Sequence, residues 1–89
     1  MKLTREVEVI NKLGMHARPA SMFVRTAMPF SSTITVKKGD EIVDGKSIMG
    51  LMTFAATMGT KINITVEGDD AESCLDALEQ LFLDKFNEE

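Results

Sequence analysis

His16 is the only histidine in this 89-residue chain, and it lies in Gly14-Met15-His16-Ala17-Arg18-Pro19, where a helical pattern begins. Imidazole gains and loses a proton, or another electrophile, near neutral pH. A helix start presents backbone N–H groups that lack carbonyl partners, together with the positive end of the helix dipole. His16 therefore combines a nucleophilic nitrogen with a cradle for negative charge, built from the Ala17 and Arg18 amides. The Arg18 guanidinium adds a group that pairs with phosphate oxygens. These residues suit one task, carrying a phosphoryl group on His16. Taken alone, a single histidine reads as a cap or a surface residue. The glycine ahead of it, the arginine behind it and the helix start shift that balance toward chemistry.

Ser47 is the second candidate, at the end of Asp44-Gly45-Lys46-Ser47 and at the start of another helical segment. Serine is a favoured N-cap, and capping alone accounts for it. The functional alternative is regulatory phosphorylation, which a helix N-terminus tolerates while the adjoining surface changes. Of the seven methionines, Met22 and Met49 fall away from the apolar stripes and suit a surface that adapts to several partners. No Cys/His cluster offers a metal site, and the lone Cys74 has no internal disulfide partner. No cofactor is implied.

The elements that position these residues follow from periodicity. Leu3 to Val9 alternates, with Leu3, Val7 and Val9 on one face, and predicts a strand with one wet side. Asn11 to Gly14 reads as a loop. From Pro19 to Met28 the residues Ala20, Phe23, Val24, Ala27 and Met28 form a helical stripe, closed by Pro29. Local rules start that helix at Pro19, whereas the amide cradle requires a slightly earlier start. Ser32–Lys37 and Glu41–Asp44 predict a hairpin turning at Gly39-Asp40. A second helix is expected from Ser47 to about Ala56, with Ile48, Leu51, Met52 and Ala55 on its buried face and Gly50 weakening it. Lys61–Glu67 is the clearest strand. Asp69-x-x-Glu72 resembles a capping box ahead of a last helix that buries Cys74, Leu75, Leu78, Leu81, Phe82 and Phe86. The order β-α-β-β-α-β-α predicts an α+β fold, one mainly antiparallel sheet with helices on one face, in a single domain spanning residues 1–89.

Composition narrows the function classes. The net charge is −4, but residues 1–49 hold eight Lys and Arg against five Asp and Glu, and residues 50–89 hold two against nine. An acidic chain does not suit general nucleic-acid binding, and its strands lack the exposed aromatics that stack on RNA bases. Lys12, Arg18, Arg25 and Lys46 are expected to form a local basic patch near His16 for an acidic partner. No apolar run approaches the roughly 20 residues of a membrane span, and nothing resembles a signal peptide. The cytoplasm is the expected location.

Two segments carry a family resemblance. Gly14-Met15-His16-Ala17-Arg18-Pro19-Ala20 resembles the active-site motif of HPr, the histidine-containing phosphocarrier family of the bacterial phosphoenolpyruvate:sugar phosphotransferase system. Gly45-Lys46-Ser47-Ile48-Met49-Gly50-Leu51-Met52 resembles that family's regulatory-serine segment. The similarity runs over essentially the whole chain. It implies an open-faced β-sandwich, a four-stranded antiparallel sheet covered by three helices. It also implies a monomeric carrier, not an enzyme, phosphorylated on His16 Nδ1 by phospho-enzyme I, assisted by Arg18, and donating to enzyme IIA components for sugar uptake. Ser47 would be the site of an HPr kinase/phosphorylase, and Ser21, Met22, Arg25, Ile48, Met49 and Met52 the partner-docking surface. The alternatives are a nitrogen-branch paralogue, or a signalling module whose phosphorylated Ser47 recruits a transcription regulator.

Overall fold

The computed structural model describes residues 1–54 and 56–88. Four strands, β1 (Lys2–Glu8), β2 (Thr33–Lys38), β3 (Glu41–Asp44) and β4 (Lys61–Glu67), form one sheet in the order β1-β4-β2-β3. Every neighbouring pair is antiparallel. Three helices, α1 (Ala17–Ala27), α2 (Ile48–Thr53) and α3 (Ala71–Leu83), pack on the apolar side. The fold is the expected open-faced β-sandwich.

The period of two in the strands sets this layering, because alternate side chains point to opposite faces. In central β4, Ile62, Ile64 and Val66 are fully buried, while Lys61, Asn63 and Glu67 face solvent. The helices close over them with Ala20, Phe23 and Ala27 from α1 and Cys74, Leu75 and Leu78 from α3. Phe23 meets Phe82 edge-on at 6.2 Å, which joins α1 to α3 within the core. Arg5, on the helix side of β1, reaches past the core to Asp76 and Glu79 of α3.

Several boundaries differ from expectation, each for a local reason. α1 starts at Ala17, and its last predicted core residue, Met28, is exposed beyond its end. α2 stops at Thr53, short of Ala56, and Met52 and Ile48 are solvent-exposed, leaving Leu51 as its buried residue. Gly50 sits where a Cβ would approach Val43 of β3 at 3.1 Å, so the glycine lets this short helix lie on the hairpin. Ala55 lies outside the described residues. The residue capping α3 is Asp70, one past the predicted Asp69, and its carboxylate makes no bond to its own helix. It turns instead to Ser31 and Ser32 at the entry to β2. Phe86 is buried as expected, but it belongs to a short turn (Lys85–Asn87) beyond α3.

Candidate functional site

The loop that carries His16 is held by backbone bonds to the segment between α2 and β4. Val9 N–H donates to Thr60 O at 2.8 Å, and Gly59 N–H donates to Val9 O at 2.7 Å. Six residues on, Met15 N–H donates to Ala56 O at 2.8 Å. Gly14 makes the close approach possible, because its φ is +72° and a Cβ there would collide with the Ala56 carbonyl. Met15 is buried, which fixes the backbone just ahead of the histidine.

His16 is the N-cap of α1, with an extended backbone (φ −86°, ψ −170°), and its carbonyl accepts the first helical bond from Ala20 N–H at 3.0 Å. Its ring makes no capping bond and is half-exposed. The helix therefore starts early enough to leave the Ala17 and Arg18 N–H groups without intrahelical acceptors. Pro19, in the same first turn, contributes no N–H at all. The arrangement suits an anion held beside the ring by two amides, the helix dipole and the exposed Arg18 side chain.

The ring's Nε2 lies 2.7 Å from Glu88 Oε2, and the other carboxylate oxygen accepts from Asn11 Nδ2 at 3.2 Å. Burial pushes the Glu88 carboxyl up. The bonds from His16 and Asn11, with the charges of His16 and Arg18, outweigh it and hold the carboxyl below the usual range. Asn11 is itself 2 % exposed and also donates to Gly14 O at 2.7 Å. Neither Asn11 nor Glu88 was among the candidates that sequence pattern offered. One lies in a loop and the other past the last helix, where periodicity carries no signal.

Ser47 caps α2, its Oγ accepting from Gly50 N–H at 3.0 Å. α1 and α2 pack against each other, so the helices that start at His16 and Ser47 are neighbours. Met49 is 72 % exposed, with Ile48 and Met52 beside it on the same short helix. Arg25 is exposed and Ser21 is half-buried on α1. Met22 lies partly against the core, contrary to its expected place off the apolar face. Lys46 does not join a basic patch at His16. Its Nζ donates to Phe30 O at 2.8 Å, beyond the opposite end of α1. That end is about 16 Å away along an 11-residue helix.

Comparison with known proteins decides the family. The family model described as PTS HPr component phosphorylation site matches residues 3–84. The chain belongs to the HPr family. It is 45 % identical over 86 residues to phosphocarrier protein HPr of Neisseria meningitidis, covering 97 % of each chain. It is 42 % identical over 87 residues to HPr of Treponema pallidum, covering 98 % of this chain and 99 % of that one. A crystal structure of an HPr from Thermoanaerobacter tengcongensis superposes with a TM-score of 0.93 at 45 % identity, covering 98 % of both chains. An HPr dimer from the same organism superposes at 0.76, with 46 % identity and 90 % and 92 % coverage. As an HPr, the chain is a phosphocarrier and not itself an enzyme.

Proposed function

We propose that His16 is the residue that carries the phosphoryl group, accepting it from phospho-enzyme I and passing it to enzyme IIA components in sugar uptake. The observation that supports this is the N-cap position of a half-exposed imidazole whose ring is not used for capping. Nδ1 is the reacting nitrogen, because Nε2 is engaged by Glu88. The amides of Ala17 and Arg18 and the Arg18 guanidinium take up the charge that arrives with the phosphoryl group. Ser21, Met22, Arg25, Ile48, Met49 and Met52 form the docking surface on the paired helices α1 and α2. In this reading the working unit is the monomer and its place of action the cytoplasm.

Ser47 is the regulatory position in this reading, modified by an HPr kinase/phosphorylase. A phosphate there remains compatible with the α2 N-terminus and changes the charge of the docking surface. The experiment is intact-mass analysis after incubation with enzyme I and phosphoenolpyruvate. The expected product carries one acid-labile, base-stable phosphoryl group, absent from His16→Ala. Equal labelling of that variant would overturn the assignment.

A further inference from the structure

The partner of His16 Nε2 comes from a segment with unusual backbone geometry. Lys85, Phe86 and Asn87 have φ values of 54°, 52° and 61°, in the left-handed region that L side chains rarely adopt. Consecutive residues persist there only where the surroundings hold them. Phe86 supplies that hold, since its ring is 1 % exposed and meets Phe82 edge-on at 4.9 Å. Glu88 N–H then bonds Lys85 O at 2.9 Å and closes the turn.

This turn sets the Glu88 carboxylate between two donors, His16 Nε2 at 2.7 Å and Asn11 Nδ2 at 3.2 Å. The Asn11 amide has one possible orientation, because Gly14 O and Glu88 Oε1 both face its nitrogen and both only accept. A carboxylate likewise only accepts, so the ring nitrogen facing it must carry a proton. In a neutral imidazole the lone pair then resides on Nδ1.

We infer that Glu88 is a positioning residue that locks His16 in the Nε2–H tautomer, through the Asn11–Glu88–His16 chain of hydrogen bonds, so that Nδ1 presents its lone pair to the incoming phosphoryl group. The inference rests on the reading of His16 as the phosphoryl acceptor. In the transfer, the Nδ1 lone pair forms the N–P bond while the donor's bond to phosphorus breaks and its electron pair returns to the donor. The Nε2 proton stays in place. The ring gains positive charge as the bond forms, and the adjacent carboxylate compensates it. On onward transfer the N–P electron pair returns to Nδ1 and the starting tautomer is restored.

The test compares 15N-labelled wild type with Glu88→Gln and Glu88→Ala. Imidazole 15N chemical shifts report the tautomer with no phosphoryl donor present, and initial rates of labelling by enzyme I report transfer. Glutamine offers one oxygen to two donors. The Asn11 amide cannot turn round, whereas an imidazole can change tautomer, so the amide nitrogen of the introduced glutamine faces His16 and favours the Nδ1–H form. The expected result is a reversed tautomer population in Glu88→Gln and labelling slowed at least about tenfold. Glu88→Ala, which removes the lock without imposing the wrong tautomer, should be slowed less. A merely structural role gives the opposite order, because glutamine keeps the shape of glutamate and alanine does not. An unchanged 15N pattern in Glu88→Gln, or slower labelling of the alanine variant, overturns the inference even with His16 labelled normally. A reversed pattern in a protein whose wild type takes no label at His16 supports the lock and counts against the acceptor reading alone.

Discussion

Asp70 and Ser32 are joined twice: one carboxylate oxygen of Asp70 accepts from both the backbone N–H and the hydroxyl of Ser32. The second oxygen accepts from Ser31 N–H at 2.8 Å. The residue that starts α3 thus fixes the entry to β2, and these bonds, led by the Ser32 hydroxyl, hold its carboxyl below the usual range. A carboxylate with a lowered pKa adds stability above its unfolded value, about 3.9, and loses it as pH falls through the folded value. Asp70→Asn should therefore destabilise the protein at neutral pH and approach wild-type stability in strong acid. Thermal unfolding at both extremes measures this, and a pH-independent difference would contradict it.

Gly14→Ala should destabilise the fold by at least about 2 kcal/mol. An L side chain at positive φ costs roughly 1–2 kcal/mol, and its Cβ would also collide with Ala56 O. Urea unfolding should show a lower midpoint with an unchanged slope. His16 labelling should fall too, since the displaced backbone carries the histidine. A midpoint matching wild type would show that the loop can move aside.

Arg18→Ala should slow phosphoryl transfer yet leave stability within about 0.5 kcal/mol, because the side chain is exposed. Loss of one charge-assisted bond, about 1.5–3 kcal/mol, corresponds to roughly ten- to a hundredfold in rate. Normal transfer in a destabilised variant would reverse the assignment.

Ser47→Asp should raise the KM for enzyme I while the melting temperature stays within about a few degrees of wild type. Aspartate also caps helices, so α2 persists, and its charge enters the surface formed by Ile48 and Met49. Ser47→Ala should instead cost about 1 kcal/mol, since Gly50 N–H loses its acceptor. An unaltered KM in the aspartate variant would leave Ser47 a plain helix cap.

Periodicity made the strands legible: Ile62, Ile64 and Val66 read as one face and are buried as one face. The same holds for Phe23 and Leu78 in their helices. Ser47 stood out because helix caps have a local sequence signal, and His16 because it is the only histidine and lies where a helical stripe begins. What stayed hidden is long-range. Nothing near Glu88 announces that a turn in the left-handed region will bring it to a histidine 72 positions earlier. Lys46 was misplaced for the same reason, since charge sign says nothing about the end of α1 on which a side chain lies. Asp70 was hidden because its partners, Ser31 and Ser32, precede it by a whole hairpin, a helix and a strand.

The pairing of β1 with β4 has a consequence for the order of events during synthesis. A ribosome delivers His16 early, but the carbonyl that anchors Met15 belongs to Ala56, the strand that flanks β1 ends at Glu67, and the carboxylate on Nε2 waits for Glu88. Each contact closes a long loop of chain, the slow kind of step in folding. A growing or truncated polypeptide accordingly carries His16 without the carboxylate at Nε2 or the backbone bond that holds Met15. The hydrogen-bond network around His16 is therefore assembled only after Glu88 has been translated, although the histidine itself emerges among the first residues.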